Sequence, residues 1–233
     1  MKKLVQGILE FRRNVFPAYR MTFSRLATGQ SPDCLFVGCA DSRVVPNLFA
    51  STQPGDLFVV RNVGNMVPAC LEGDTADRED SVAAALEFAA FELNVTDIVI
   101  CGHSSCGAMK ALIAQESGEG GALPPHLTAW LKNGAPALAR HRGGPVAITH
   151  KQELPEHDRL ALANVLAQLD HLRTHPFIKE RVDQGKLRLH GWWFDISTAD
   201  VYAYEPDEKA FLVIDEAEAE RILERVAPGS SKL

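Results

Sequence analysis

The chain has 233 residues, of which 46% are hydrophobic and 23% are charged, and its formal net charge is −6 at pH 7. This length and apolar content are enough for one domain with a full hydrophobic core. A negative charge without a basic cluster argues against nucleic acid and against anionic membranes as partners. No stretch approaches the ~18 consecutive apolar residues that a membrane-spanning helix needs.

The chain contains five cysteines, an odd number that does not suit a disulfide framework. Free thiols are typical of a reducing compartment, so we predict a cytoplasmic protein. The last three residues, Ser231-Lys232-Leu233, match a peroxisomal targeting signal, which would act only in a eukaryotic host.

Residues 1–28 are predicted to form one or two helices, because apolar residues recur at helical spacing from Leu4 to Phe16. Pro17 is expected to break or kink this run. Short apolar runs at 34–38 and 97–101 are typical of strands that are buried on both faces.

The order strand, helix, strand along the chain predicts parallel pairing with right-handed crossovers. We therefore predict an α/β fold with a mixed, mostly parallel central sheet, flanked by helices and preceded by an N-terminal helical arm. The sequence leaves open the conformation of segment 134–151, which contains Pro and Gly, and a mobile surface excursion is one interpretation. Further predicted elements are strands at 57–61 and 187–194, edge strands at 200–204 and 210–214, a loop at 64–80, a short helix from Pro46, and helices at 78–93, 106–115, 125–130, 155–173, 176–184 and 216–226.

Two polar segments directly follow predicted strands: Cys39-Ala40-Asp41-Ser42-Arg43 and His103-Ser104-Ser105-Cys106-Gly107. Functional groups gather beyond the carboxyl ends of parallel strands, so the two segments can converge. Two thiolates and one imidazole suit Zn2+, and three protein ligands leave a fourth position for water or substrate. We predict that one zinc ion per chain is bound by Cys39, His103 and Cys106.

Asp41 lies two residues from Cys39 and is the nearest candidate for a fourth protein ligand. Arg43 favours a different role, because a guanidinium can hold that carboxylate bidentately and keep it ionised beside the metal. We predict water or hydroxide as the fourth ligand, with Asp41 as an alternative ligand at low pH. A lone buried Cys is usually a packing residue, so this prediction depends on both segments together.

The motif C-x-D-S-R followed by H-S-x-C-G resembles the β-class carbonic anhydrases, close to their bacterial and plant-type members. The similarity continues through 29–32, 53–62 and 190–192 and covers nearly the whole chain, which implies one domain over 1–233. The resemblance implies a zinc-dependent lyase that reversibly hydrates carbon dioxide to bicarbonate and a proton. Such an enzyme takes part in carbon utilization. In that reaction zinc-bound hydroxide attacks CO2, while the catalytic pair Asp41 and Arg43 orients the nucleophile.

The resemblance also implies a pocket that suits CO2, with apolar walls and a few hydrogen-bond donors. Gln30 and the backbone N–H of Gly107 would be the donors, and the walls would be Phe58, Val63 and Phe88. In plant-type relatives the residues at the positions of Phe58 and Phe88 come from the neighbouring subunit. This implies a homodimer or tetramer with the active site at the subunit interface and with the arm, residues 1–28, packed on the partner.

Two positions depart from patterns within the family. Plant-type enzymes commonly have Tyr where this chain has Phe88, so that hydroxyl is absent. Some β-class enzymes bind inhibitory bicarbonate at a second site through Trp, Arg and Tyr, where this chain has Phe36, Arg61 and Phe194. Because two of the three polar groups are missing, we predict no bicarbonate-inhibited state of that kind and an open metal site.

Two other interpretations remain at this point. The same fold and metal could act on CS2 or COS, a choice that depends on the shape of the access channel. Alternatively, the chain could be a zinc-stabilised interaction protein without turnover, although such a protein would not need the pair Asp41 and Arg43.

Overall fold

The computed structural model describes residues 1–71, 80–151 and 153–226. Within these ranges, seven strands form one mixed sheet: β1 (Cys34–Cys39), β2 (Leu57–Asn62), β3 (Asp97–His103), β4 (Ala147–Ile148), β5 (Arg188–Phe194), β6 (Val201–Glu205) and β7 (Ala210–Val213). The strand order across the sheet is β2-β1-β3-β5-β6-β7-β4. The first four strands in this order pair in parallel, whereas β6 is antiparallel to both of its neighbours.

Helices lie between and around the strands, as in other α/β folds. In the described part of the chain they are α1 (Lys2–Glu10), α2 (Phe16–Leu26), α3 (Pro46–Phe49), α4 (Ser81–Glu87), α5 (Gly107–Ser117), α6 (Pro125–Leu131), α7 (Ala135–Arg142), α8 (Glu156–Thr174), α9 (Pro176–Asp183) and α10 (Glu216–Val226). None of them is both long enough and apolar enough to cross a membrane. The predicted fold class, a mostly parallel sheet flanked by helices with an N-terminal helical arm, is confirmed.

The arm keeps its helical course through Pro17. A π-helical segment, Phe11–Val15, joins α1 to α2, and Pro17 lies in the first turn of α2. At that position the missing N–H of proline costs no helical hydrogen bond. No residue of α1 or α2 is buried.

Segment 134–151, whose conformation the sequence left open, contains a helix and a strand and is not an irregular surface excursion. Pro136 lies in the first turn of α7, and Gly143 follows its last residue, so these residues mark the ends of a helix. Ala137 is fully buried where α7 packs on α8. Further along, β4 pairs with β7.

The prediction that β6 and β7 are edge strands was wrong. β6 lies between β5 and β7, and β4 covers the other side of β7, so the sheet ends at β2 and β4. A two-residue strand such as β4 leaves no periodic pattern in the sequence, and without it β7 looks like an edge.

Asp80 determines where α4 begins. Its Oδ1 atom accepts hydrogen bonds from the backbone N–H groups of Val82 and Ala83, at 2.9 and 3.2 Å. This is an N-cap, so the helix starts at Ser81, a few residues later than predicted. Residues 72–79, which contain nearly half of the predicted loop 64–80 and the predicted helix start at 78, lie outside the described residues, as does the C-terminal segment 231–233.

Candidate metal centre

The carboxyl ends of β1 and β3 bring the two motif segments together. Cys39 is the last residue of β1, His103 is the last residue of β3, and Cys106 is the N-cap residue of α5. Their ligand atoms all lie within 4.8 Å of one another. The three residues are 5%, 0% and 1% exposed, respectively, so the ligands meet inside the protein.

His103 is oriented to bind through its Nε2 atom. The Nδ1 atom lies 2.9 Å from the carbonyl oxygen of Ser104, which makes Nδ1 the protonated nitrogen and Nε2 the lone-pair donor. Nε2 is buried and has no hydrogen-bond partner among the described residues. Since a buried polar atom without a partner is costly, this atom fits a metal ion.

The two sulfur atoms lie in surroundings that favour thiolates. Gly64 donates its backbone N–H to Cys39 Sγ at 3.4 Å, and Cys106 lies at the N-terminus of α5. A hydrogen bond with the Cys106 sulfur lowers the pKa of Cys39. The same hydrogen bond raises the pKa of Cys106, because the two sulfurs share one proton. Together with His103 they form a ligand set of the catalytic zinc type.

Asp41 and Arg43 form a bidentate pair beside these ligands. Arg43 Nε donates to Asp41 Oδ1 at 2.9 Å, Arg43 Nη2 donates to Oδ2 at 2.7 Å, and the backbone N–H of Arg43 donates to Oδ1 at 3.0 Å. These hydrogen bonds hold the pKa of Asp41 well below its usual range. Arg43 Nη2 also donates to the carbonyl oxygen of Ser105 at 3.3 Å, which links the two motif segments.

Arg61 holds the backbone of the first motif segment. Its Nε atom donates to the carbonyl oxygen of Cys39 at 3.0 Å, and its Nη2 atom donates to the carbonyl oxygen of Asp41 at 2.7 Å. From the sequence, Arg61 was noted only because it occupies one of the three positions of the second bicarbonate site. Nothing in the sequence shows that its partners are these two carbonyl groups.

The turn after β2 presents the N–H of Gly64 to the metal site. The side chain of Asn62 closes this turn, with hydrogen bonds to both the N–H and the carbonyl oxygen of Met66 at 2.8 Å. Gly64 has φ +80°, and an added Cβ would lie 2.9 Å from the Cβ of Ala108. Only glycine fits both the conformation and the space.

Buried polar side chains of α8 hold the same turn from behind. Asn164 Nδ2 donates to the carbonyl oxygen of Gly64 at 3.0 Å, and Gln168 Oε1 accepts from the N–H of Val67 at 2.8 Å. Gln168 also donates to Asn164 Oδ1 at 2.9 Å. Neither residue was predicted from the sequence, although polar residues inside an otherwise buried helix are a usable signal.

Two of the predicted substrate-binding residues lie at the metal end of the sheet. Gly107 is the first residue of α5 and is exposed. Val63 directly follows β2 and is 42% exposed, and its carbonyl oxygen accepts a hydrogen bond from Trp130 Nε1 at 2.7 Å. Both positions are compatible with a pocket that opens above the ligands.

The other three predicted pocket residues lie at the opposite end of the sheet. Phe58 is paired with Leu35 near the start of β1, and the rings of Phe58 and Phe88 contact each other at 5.7 Å between centroids. Gln30 precedes β1 altogether. Gln30 lies beside residues 54–56, which precede β2, and β1 extends about 17 Å from Cys34 to Cys39 at ~3.3 Å per residue. One chain therefore does not bring Gln30, Phe58 or Phe88 to its own metal ligands.

Comparisons with known proteins agree with this geometry. The sequence profile of the family described as "Carbonic anhydrase" matches residues 34–201. The carbonic anhydrase of Pseudomonas aeruginosa is 39% identical over 216 residues, which cover 93% of each chain. This chain belongs to the carbonic anhydrase family. Carbonic anhydrase 1 of Escherichia coli O157:H7 is 37% identical over 212 residues, or 91% of each chain.

Solved structures place this carbonic anhydrase in the β class. The β-carbonic anhydrase CcaA superposes with a TM-score of 0.79 at 34% identity, over 91% of this chain and 98% of that one. A structure from Sordaria macrospora, described as one of two tetrameric β-carbonic anhydrases, has a TM-score of 0.66 at 30% identity, over 87% and 92% of the two chains. The chain is therefore an enzyme of a family whose general reaction is the hydration of CO2.

The positions of the second bicarbonate site are filled by aromatic packing in this enzyme. Phe36 and Phe194 are both buried, and Phe49 lies between them. Its ring stacks on Phe194 at 4.6 Å and contacts Phe36 at 6.1 Å. Arg61, the third position, is engaged with backbone carbonyl groups.

Proposed function

We propose that this carbonic anhydrase reversibly hydrates CO2 to bicarbonate and a proton with one zinc ion per chain, held by Cys39, His103 and Cys106. The observation that carries the proposal is the convergence of three buried ligand atoms, one of them a partnerless imidazole nitrogen, beside a bidentate Asp–Arg pair. Zinc, when bound in such a site, supplies hydroxide near neutral pH because it lowers the pKa of coordinated water. The proposed fourth ligand is water or hydroxide.

Asp41 orients the nucleophile in this proposal. An ionised carboxylate has about four acceptor positions, and Arg43 occupies two on Oδ1 and one on Oδ2. The remaining position on Oδ2 would accept a hydrogen bond from the nucleophile and so direct the lone pair of its oxygen toward the carbon of CO2. At low pH, Asp41 is proposed to replace this water or hydroxide as a metal ligand.

A second copy of the chain completes the substrate pocket. Val63 and the backbone N–H of Gly107 come from the chain that holds the metal, whereas Gln30, Phe58 and Phe88 come from the partner. The distances within one chain support this division, because the latter three lie at the far end of the sheet.

The arm, residues 1–28, packs on the partner in the same assembly. Its apolar residues Leu4 and Ile8 are 65% and 60% exposed, and no residue of α1 or α2 is buried within the chain. A continuous exposed apolar face of this kind is typical of a protein interface. A homodimer, alone or as half of a tetramer, would both bury the apolar face of the arm and complete the pocket.

Two further properties follow from the same site. Phe36, Phe49 and Phe194 pack together where two polar groups would be needed to bind an inhibitory bicarbonate, so the enzyme would stay in its open form. Two thiolate ligands require reduced cysteines, which supports the cytoplasm as the compartment.

Stopped-flow measurement of CO2 hydration, combined with metal analysis, tests the proposed function. The zinc-loaded protein is expected to accelerate hydration, and Cys106→Ala protein is expected neither to hold zinc nor to accelerate it. Sulfide release from COS is measured in parallel. Zinc-loaded protein that leaves the rate of CO2 hydration at its uncatalysed value would refute the proposal.

A further inference from the structure

We propose that Asp158, in the first turn of α8, is a positioning residue that holds Arg43 in place through the backbone of Ser105. The inference rests on the proposed function, because it concerns the pair Asp41 and Arg43. It assigns a role in turnover to a buried carboxylate that touches neither the metal ligands nor the substrate pocket.

Ser105 has a backbone conformation that needs support. It lies between His103 and Cys106 and has φ +57°, in the left-handed region that residues with a Cβ rarely adopt. Such a residue keeps this conformation only where its surroundings hold it there. The hydrogen bonds of its peptide groups therefore decide where its carbonyl group points.

Asp158 provides that hold. Its Oδ1 atom accepts the backbone N–H of Ser105 at 2.5 Å, and the residue is only 5% exposed. A hydrogen bond to a buried carboxylate is charge-assisted and is stronger than one between neutral groups. The bond holds the peptide plane that carries the N–H of Ser105, which is the plane from which the backbone turns through Ser105 to its carbonyl group.

The carbonyl oxygen of Ser105 is the contact that Arg43 makes outside its own segment, through Nη2 at 3.3 Å. The same Nη2 atom donates to Asp41 Oδ2 at 2.7 Å. A continuous path therefore runs from Asp158 through Ser105 and Arg43 to the carboxylate that orients the nucleophile. If Ser105 rotates, Arg43 loses one of the two anchors of Nη2.

Asp195 offers a matched control, because it is a second buried carboxylate behind the same motif. It accepts a hydrogen bond from Ser104 Oγ at 3.4 Å and forms an ion pair with Lys151. Among the described residues, Asp195 forms no hydrogen bond or ion pair with Ser105 or Arg43. Its loss weakens the same segment without interrupting the path to Arg43.

The test is a double-mutant cycle on the full-length zinc-loaded enzyme, with kcat/KM for CO2 hydration and zinc content measured for each variant. Asp158→Ala is expected to keep one zinc per chain and to lower kcat/KM about tenfold, whereas Asp158→Asn recovers most of the loss because its amide oxygen still accepts. In the Arg43→Ala background, Asp158→Ala is expected to cause almost no further loss. The losses of kcat/KM caused by Asp195→Ala and by Arg43→Ala are expected to multiply in the double variant, as the effects of independent changes do.

The proposal is overturned if the effects of Asp158→Ala and Arg43→Ala multiply fully, if Asp158→Asn is as slow as Asp158→Ala, or if the zinc is lost. Should Asp158→Ala protein not fold, Asp158→Ser takes its place in the cycle, because serine suits the first turn of a helix but its hydroxyl is too short to reach Ser105.

Crystal structures of the same zinc-loaded variants give a readout that does not depend on turnover. In Asp158→Ala, the contact between Arg43 Nη2 and the Ser105 carbonyl oxygen is expected to be lost while the three metal ligands keep their positions. An unchanged contact overturns the inference. If the unsubstituted enzyme does not hydrate CO2, the proposed function fails, yet this structural comparison still decides whether Asp158 positions Arg43.

Discussion

The two ends of the parallel strands differ in how complete they are within one chain. At the carboxyl end the metal ligands are buried, and the chain supplies hydrogen bonds to Cys39, His103 and the segments around them. At the amino end Gln30 is exposed, Phe88 is 44% exposed, and the neighbouring arm has no buried residue. We propose on this basis that one chain provides metal binding, whereas the substrate pocket is divided between two.

A physical reason underlies this difference. Metal ligands must be held to within fractions of an ångström, which requires hydrogen bonds from several rigid elements at once. An apolar wall needs only shape and dryness, and burying it between two chains also stabilises their association. Substitutions at one end should therefore change metal binding, and substitutions at the other end should change assembly and the pocket.

Removing a ligand sulfur tests the carboxyl end most severely. Cys39→Ala and Cys106→Ala are expected to lose the zinc and all catalysed hydration, because two ligands do not retain the ion. Metal analysis and stopped-flow assays measure both losses. Cys34→Ala is the control on the same strand as Cys39, since burial raises the pKa of the Cys34 thiol to about 12 and keeps it protonated. Zinc retained at full occupancy in either ligand variant contradicts the assigned ligand set.

Removing the dyad is expected to separate metal binding from turnover. Asp41→Ala and Arg43→Ala should keep the zinc and lose about 10²–10³ in kcat, because the nucleophile loses its orientation and electrostatic support. Arg142→Ala, which removes a surface ion pair with Glu116, serves as the control. If Asp41→Ala protein hydrated CO2 at the original rate, Asp41 would not be the orienting group.

Charges placed on the arm test the amino end. Leu4 and Ile8 lie on one face of α1, so the double variant Leu4→Glu/Ile8→Glu is expected to yield monomers that bind zinc but hydrate CO2 at least about tenfold more slowly. Sedimentation velocity measures the assembly. Gln6→Glu, on the opposite face of α1, adds a negative charge as a control and should leave the assembly unchanged. Monomers with full activity would show that one chain builds its own pocket.

Inhibition of the enzyme by bicarbonate is the smallest of the expected effects. Because aromatic rings fill the positions of Phe36 and Phe194, the rate of bicarbonate dehydration should rise hyperbolically with substrate and without cooperative inhibition. Steady-state rates over a wide bicarbonate range measure this directly. A sigmoidal profile with a Hill coefficient above one would contradict the absence of a second bicarbonate site.

The sequence predicted what depends on local pattern. The mostly parallel sheet followed from apolar runs such as 34–38 and 97–101, and the convergence of Cys39 with His103 followed from the position of each at a strand end. The sequence left 134–151 open because Pro and Gly mark helix ends as well as loops.

The rest could not be predicted because it depends on contacts between distant segments and the backbone. The partners of Arg61 are two carbonyl groups, and those of Asn164 and Asp158 are backbone groups of turns about 100 and 53 residues away along the chain. Any residue type has such backbone groups, so the sequence does not mark them as partners.

Mixed dimers test the division of the active site most directly. Chains with Cys39→Ala are co-expressed with chains with Gln30→Ala, each with its own affinity tag, and the mixed dimers are assayed for zinc-dependent CO2 hydration. Alone, the first variant should be inactive and the second about 10²-fold slow, because a donor to the reacting oxygen is lost. In the mixed dimer one site joins an intact metal centre to the partner's intact Gln30, so about half of the original activity is expected. Activity that stays at the level of the Gln30→Ala protein would contradict the shared pocket.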